Sequence, residues 1–183
     1  MDKIEIKNAT IIDGLGGDPY SGNIYLKNGK ILAITNGEIL DSDISIEATG
    51  KVVTPGFIDL HTHSDLSFLL DPTAQSKVRQ GVTMELIGNC GMSPAAPLIG
   101  ESKEMLMLNL SRYENDGGIA DKINWTDYAG YINASKKRGA TLNIAFQVGH
   151  ATIRSAVMGQ EDRPPSADEL SEMKRLAEES MDS

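Results

Sequence analysis

Short apolar segments that alternate with helical patterns are the feature that most constrains how the second part of this sequence can fold. Such segments are typical of buried strands, and here they are GFIDL, GVTMELIG and TLNIAFQVG. We expect helices over 72–81, 101–113 and 126–138, and another after the Ser166–Glu169 capping box. Strands that alternate with helices are typical of a parallel sheet with helices packed on its faces. The sequence therefore predicts an α/β fold of about three βα units over residues 53–183.

Residues 1–52 have a different pattern, in which apolar and polar residues alternate over segments such as IEIK and NIYLK. This alternation is typical of half-buried strands. Asn28-Gly29 lies between IYLK and KILAI, and both residues tolerate the positive φ angles of a type I′ hairpin turn. We therefore expect a small antiparallel, β-sandwich-like module in front of the α/β part.

Charge and composition exclude several classes of partner. The chain has 17 basic and 26 acidic residues, a formal net charge of −9, so nucleic acid and anionic membrane surfaces are not expected partners. No apolar run approaches the roughly 18 residues of a membrane helix, and the N-terminus lacks the apolar core of a signal peptide. We therefore expect a cytoplasmic protein. Cys90 is the only cysteine, so no internal disulfide can form.

The strongest chemical motif is His61-Thr62-His63, directly after the apolar segment GFIDL. A strand has a side-chain period of two, so both imidazoles should project from the same face and converge on one metal ion. In (β/α) barrels the active site lies at the carboxyl ends of the strands, which is where the two histidines stand. The spacing alone is a weak motif, and two unrelated loop histidines would match it equally well.

The residues around this pair resemble a known family. PGFIDLHTHSD resembles the first-strand motif of the amidohydrolase superfamily, whose metal ions are held partly by such an H-x-H pair. Residues 81–97, GVTMELIGNCGMSPAAP, resemble the second-strand motif of the D-aminoacylase (N-acyl-D-amino-acid deacylase) family. VGHATIRSAVMG, residues 148–159, is similar to the third-strand region of that family, although Ala151 stands where glycine is more usual. The likeness extends over nearly the whole chain.

The resemblance implies the metal ligands. In the family the cysteine of G-N-C-G binds zinc, which here is Cys90, together with His61 and His63. A lone thiol is commonly a buried filler of a protein core. Cys90, however, follows a strand at the same end of the predicted sheet as the two histidines, so we interpret it as a ligand that binds as thiolate.

Three further residues are candidates for supporting roles. Metal-bound imidazoles usually donate their second N–H to a carboxylate, and Asp59 and Asp65 flank the histidine pair. For Asp65, a helix N-cap or a solvated loop carboxylate is an equally good interpretation. His150 ends the third apolar segment, so we expect it at the same end of the sheet as the histidine pair. There it would line the substrate pocket; the alternative is a histidine buried in the core.

The resemblance also implies a reaction. One or two zinc ions would assist hydrolysis of a small-molecule N-acyl-D-amino acid to a carboxylate and a D-amino acid. The alternatives are a cyclic-amide hydrolase of the dihydroorotase or hydantoinase type and a non-catalytic truncated product. Three parallel strands form only an incomplete TIM-type (β/α) barrel, and the catalytic aspartate of the family lies on a later strand. We therefore expect an incomplete chain that is inactive alone and self-associates through its uncovered edges.

Overall fold

The structure is a computed structural model that describes residues 2–94, 98, 100–110 and 122–183. The chain forms two compact units, residues 1–55 and residues 56–183. The first unit contains one sheet, and the second combines a smaller sheet with helices. No helix of the described residues has both the length and the apolar character needed to cross a bilayer.

The first unit is a five-stranded sheet in which β1 is central. Its strands are β1 (Ile4–Ile11), β2 (Tyr20–Lys27), β3 (Lys30–Thr35), β4 (Ile44–Glu47) and β5 (Val52–Val53). The order is β3-β2-β1-β4, and β5 pairs with β1 beyond β4. The first three strands are antiparallel neighbours, as predicted, and Asn28 and Gly29 have the expected positive φ angles of 54° and 73° at the turn between β2 and β3.

The expectation of an entirely antiparallel module was wrong. Both β4 and β5 run parallel to β1. The reason is that the chain returns to the start of β1 after β3, where the carbonyl oxygen of Lys3 accepts hydrogen bonds from the backbone N–H groups of Asp43 and Ile44. The next strand therefore begins beside the beginning of β1 and follows its direction.

The second unit has a three-stranded parallel sheet of order β6-β7-β8, which confirms the predicted mixed α/β character. Its strands are β6 (Phe57–Asp59), β7 (Val82–Ile87) and β8 (Asn143–Phe146). Its helices are α1 (Ser67–Leu70), α2 (Gln75–Val78), α3 (Gly100–Leu110), α4 (Tyr128–Arg138), α5 (His150–Met158) and α6 (Ala167–Met181). A 3₁₀ turn at Asn89–Gly91 follows β7.

Aromatic side chains of α4 pack this sheet against the segment that follows β6. Tyr131 is 1% exposed, and its ring lies 5.3 Å from that of Trp125 and 5.6 Å from that of Phe146. Its hydroxyl group donates a 2.6 Å hydrogen bond to the carbonyl oxygen of Asp65. A buried tyrosine with a hydrogen-bonded hydroxyl group contributes apolar contact area, and the hydrogen bond fixes the orientation of its side chain. The hydrogen bond from Tyr131 therefore anchors the backbone of the segment that carries the histidine pair.

Several predicted helices are found, with boundaries that local side chains explain. Helix α4 begins after Asp127, whose carboxylate accepts the N–H of Gly130 at 2.7 Å, and it ends before Gly139. Helix α6 begins with the predicted capping box of Ser166 and Glu169. The helix predicted over 101–113 corresponds to α3, and residues 111–113 lie outside the described part of the chain.

The continuous helix predicted over 72–81 was wrong. Within that range the structure has a single helical turn, α2, and residues 71–74 before it are not helical. The Asp71 carboxylate accepts hydrogen bonds from the N–H (3.0 Å) and the hydroxyl group of Thr73, which closes a local turn rather than capping a helix. Ala74 then has a φ of +44°, which interrupts the helical path before α2 begins.

Candidate metal centre

The two histidines of the H-x-H motif lie side by side just beyond the end of β6. The strand ends at Asp59, so His61 and His63 stand on the loop after it rather than within it. Both side chains are exposed, and their ring centroids are 5.6 Å apart with the ring planes inclined at 66°. Thr62 between them is buried. The loop thus presents both imidazoles to solvent while the residue between them anchors it.

Cys90 reaches the same place from the end of β7. The chain leaves the strand through Gly88 at φ +86° and turns sharply at Cys90, whose φ is +57°. Its Sγ lies 3.3 Å from Nε2 of His61. Ligand atoms of His61, His63 and Cys90 all lie within 4.8 Å of one another. The predicted ligand set is therefore brought together by two adjacent strand ends.

This arrangement fits a zinc ion. Zinc binds imidazole nitrogen at about 2.0–2.1 Å and thiolate sulfur at about 2.3 Å, usually in a tetrahedral arrangement. Neighbouring nitrogen and sulfur ligands of such a site lie roughly 3.5 Å apart, close to the 3.3 Å between His61 Nε2 and Cys90 Sγ. Two imidazoles and one thiolate, all facing solvent, are a donor set suited to zinc with a coordination position left for water or substrate.

Comparison with protein families identifies the wider context. The model of the amidohydrolase family matches residues 45–183. The chain belongs to the amidohydrolase family. It is 34% identical over 178 residues to the N-acyl-D-glutamate deacylase of Alcaligenes xylosoxydans xylosoxydans. This alignment covers 97% of this chain and 34% of the relative.

Solved structures of this amidohydrolase group have the same fold. A D-aminoacylase structure that addresses the role of its binuclear metal centre superimposes with a TM-score of 0.83 at 30% identity, covering 98% of this chain and 36% of the other. The N-acyl-D-glutamate deacylase of Bordetella bronchiseptica, with zinc and a phosphonate inhibitor, gives 0.82 at 31% identity with the same coverage. The chain thus spans about a third of the length of the relatives it matches.

Asp59 and Asp65 support the ligand loops through the backbone. Asp59 Oδ1 accepts the N–H of His61 at 3.2 Å, and Asp65 Oδ1 accepts the N–H of Gly88 at 2.7 Å. The hydrogen bond from Lys77 lowers the pKa of Asp59 most, whereas burial raises the pKa of Asp65. In the described part of the chain the two carboxylates therefore hold the loops themselves, and neither accepts an imidazole N–H.

His150 is placed differently from the prediction. Strand β8 ends at Phe146, and His150 is the exposed first residue of α5, so its expected place at a strand end was wrong. The start of α5 nevertheless packs against the Cys90 turn, because a Cβ atom on Gly149 would lie 2.4 Å from the carbonyl oxygen of Gly91. A role for His150 in the substrate pocket stays a prediction.

A cavity of about 400 Å³ opens beside His63. Its lining includes the apolar residues Met92, Met105 and Leu106. The lining also includes the polar residues His63, Asp65 and Thr152. A site that combines apolar walls with a few polar groups next to candidate metal ligands is typical of small-molecule binding.

Two charged residues of this region escaped the sequence analysis. Lys77 on α2 and Glu85 on β7 form an ion pair of 3.3 Å beneath the histidine loop, and the Glu85 side chain is only 3% exposed. One signal could have found them. Glu85 is a carboxylate inside the apolar segment GVTMELIG, and a buried carboxylate requires a cationic or hydrogen-bonding partner.

Proposed function

We propose that this chain carries part of the metal centre of a zinc-dependent hydrolase that deacylates N-acyl-D-amino acids. The observation that carries the proposal is the convergence of His61, His63 and Cys90 within 4.8 Å, from two neighbouring strand ends. The likeness to N-acyl-D-glutamate deacylase and D-aminoacylase, over almost the whole of this chain, supports the linear amide as the substrate class.

We also propose that the three βα units are the first part of a TIM-type (β/α) barrel. The parallel order β6-β7-β8 supports this, as does the position of the three candidate ligands beyond the carboxyl ends of β6 and β7. The sheet edges β6 and β8 and exposed apolar side chains such as Phe57 and Ile58 support self-association of the isolated chain. The expected cytoplasmic location stays a prediction of the sequence.

The residues of this chain would prepare the reaction rather than complete it. A bound zinc ion acts as a Lewis acid, lowering the pKa of water and polarising the scissile carbonyl group. His61, His63 and Cys90 would hold the ion, the two histidines through an imidazole nitrogen and Cys90 through its sulfur. The cavity beside His63 offers apolar contacts from Met92 and Met105 to the acyl chain or the amino-acid side chain. The group that protonates the leaving amine is not assigned to this chain.

A chimera tests the proposal. In the N-acyl-D-glutamate deacylase relative, the N-terminal third would be replaced by this chain, so that the later strands supply what the 183 residues do not. We expect the chimera to release D-amino acids from N-acyl-D substrates in preference to L substrates, and we expect no release by the 183-residue chain with added zinc. The same chimera with Cys90→Ala should lose most of its activity.

The controls separate folding from chemistry. Circular dichroism must show that the chimera and its Cys90→Ala variant fold alike. A folded chimera that binds zinc but releases no D-amino acid would contradict the assignment of substrate. Turnover of a cyclic amide instead of N-acyl-D-amino acids would favour the dihydroorotase or hydantoinase alternative.

A further inference from the structure

Lys77 joins α2 to the segment that carries the histidine pair. Its Nζ donates a 2.5 Å hydrogen bond to Oδ2 of Asp59 and a 3.1 Å hydrogen bond to Oγ1 of Thr62. The same nitrogen lies 3.3 Å from Oε1 of Glu85. One ammonium group thus has two carboxylates and a hydroxyl group around it, and it touches both β6 and the loop that follows.

Glu85 completes this arrangement from the middle of β7. Its Oε2 accepts a 2.5 Å hydrogen bond from the hydroxyl group of Ser64. Its Oε1 has no hydrogen-bond partner among the described residues, and the nearby charge of Lys77 is what compensates it. A buried carboxylate without such compensation is strongly unfavourable, so Glu85 and Lys77 depend on each other.

The contacted residues alternate with the candidate metal ligands. Asp59, Thr62 and Ser64 bind the Lys77–Glu85 pair, while His61 and His63 are left exposed. The backbone carbonyl of Thr62 in addition accepts a 3.2 Å hydrogen bond from the side chain of Asn89, the neighbour of Cys90. Thr62 therefore connects the histidine loop, which Lys77 anchors, to the turn that carries Cys90.

The surroundings of Lys77 favour its charged form. Burial acts to lower the pKa of Lys77, but its hydrogen bond to Asp59 and the charge of Glu85 outweigh burial and raise that pKa. The ammonium group is thus present to donate to Asp59 and Thr62.

We propose that Lys77 is a positioning residue of the metal centre, which holds the His61–His63 loop in place through Asp59 and Thr62 with Glu85 as its buried counter-ion. This inference rests on the proposed metal centre and goes beyond its ligands. Lys77 acts through other residues, because its contacts are with Asp59, Thr62 and Glu85 and not with the candidate ligands. Partners that orient metal ligands in this way typically contribute about 10–100-fold to metal affinity.

A simpler role for Lys77 would be to neutralise Glu85 alone. Two variants distinguish the roles. Lys77→Met removes the charge and both hydrogen bonds, and it leaves Glu85 uncompensated. Lys77→Met combined with Glu85→Gln removes the buried charge as well, so only the contacts of Lys77 to Asp59 and Thr62 are missing. Lys77→Arg is the conservative variant that retains a donor, and Lys136→Met, at an exposed position of α4, is the matched control.

The experiment titrates the 183-residue chain with Co²⁺ and records the ligand-field and thiolate-to-cobalt absorption bands, with circular dichroism as the folding check. We expect both Lys77→Met and the double variant to bind cobalt about 10–100-fold more weakly than wild type, with altered ligand-field bands. Lys77→Arg should recover most of the affinity, and Lys136→Met should match wild type. Where Lys77→Met fails to fold, the double variant carries the test.

Two results would overturn the inference. If the double variant, or a folded Lys77→Met, binds cobalt with wild-type affinity and spectrum, Lys77 only neutralises Glu85 and has no positioning role. If wild-type chain shows no cobalt uptake with a thiolate band, the proposed metal centre itself fails and the inference fails with it. The spectrum of the wild-type chain therefore tells the two failures apart.

Discussion

The two loops that carry the candidate metal ligands are held by different physical means. The loop with His61 and His63 is held by side chains, through the ion pairs and hydrogen bonds of Asp59 and Lys77. The loop with Cys90 is held by its backbone, which takes positive φ angles at three of four consecutive residues, 88–91. The segment with the two histidines is thus positioned mainly by charged side chains, and the segment with Cys90 mainly by steric constraint.

Close backbone packing holds the Cys90 loop in addition to the hydrogen bond that the Gly88 N–H donates to Asp65. A Cβ atom on Gly88 would lie 2.0 Å from the carbonyl oxygen of Gln147, and one on Gly149 would lie 2.4 Å from that of Gly91. Glycine at these points lets the β7 turn and the segment after β8 touch directly. Substitutions should therefore disturb the Cys90 loop mainly through its backbone conformation and the His61–His63 loop mainly through the loss of charge.

The largest effect is expected from removal of the thiol. Cys90→Ala leaves two imidazoles, so zinc binding should weaken by more than the roughly 100-fold that loss of an outer partner can cost. Zinc content after dialysis measures this, and we expect wild type to retain less than one equivalent because the ligand set of this chain is incomplete. Met181→Ala, at an exposed position at the end of α6, is the control. Unchanged zinc content in Cys90→Ala would remove Cys90 from the site.

The steric side of the comparison is tested next, by Gly88→Ala. The added methyl group would clash with the Gln147 carbonyl, and the alanine would have to keep the left-handed backbone conformation of Gly88. The free energy of unfolding should therefore fall by about 3 kcal/mol. Gly91→Ala is the matched control, because its φ is also positive but its Cβ would make only ordinary contacts of 3.4 Å or more. It should cost about 1–2 kcal/mol in urea unfolding. Equal losses would show that the Gln147 contact is not the constraint.

The charge side is tested by Asp59→Asn. The side chain keeps its size but loses its ion pair with Lys77 and becomes a weaker acceptor for the His61 N–H, so we expect zinc affinity to fall about tenfold. Asp71→Asn is the control, since that carboxylate closes its own turn at Thr73. Competition with a chromophoric chelator measures both. A wild-type zinc affinity in Asp59→Asn would mean that charge does not position this loop.

The smallest effect is expected from a charge contact away from the site. Hydrogen bonds from Arg163 lower the pKa of Glu169 to about 2, from an ordinary value of 4.5. Because the folded-state pKa is depressed, the stabilisation is fully present above pH 4.5 and disappears as pH falls toward 2. Glu169→Gln should therefore lower Tm slightly at pH 7 and not at pH 2, with zinc binding unchanged. A pH-independent difference would contradict the ion pair as its cause.

Strong local patterns made part of this molecule predictable from sequence. The H-x-H spacing, the strand that precedes Cys90 and the Asn28-Gly29 turn each rest on a few adjacent residues, and the structure brings His61, His63 and Cys90 together as expected. The parallel sheet followed from the alternation of strands and helices. Such features depend on the periodicity of apolar residues and on the steric preferences of single residues, both of which can be read from a short stretch of sequence.

The errors arose where a local signal has two outcomes or a contact is distant in sequence. Asp71-Pro72 suits a helix start, yet Asp71 binds Thr73 and closes a turn. His150 was expected at a strand end, but β8 stops at Phe146 and a glycine-bearing connection comes first. Lys77 meets Asp59 across 18 residues of sequence, and nothing in the short helix around it indicates that partner.

The left-handed backbone at Cys90 limits what evolution or an engineer could install as the third ligand. At a φ of +57° a β-branched side chain is strongly disfavoured, whereas asparagine, aspartate and histidine accept such angles comparatively well. Exchange of sulfur for a carboxylate or imidazole ligand is therefore conformationally open at this position. A library at residue 90 should consequently yield folded members that differ in metal preference, with the softer metals lost first when the thiolate is replaced.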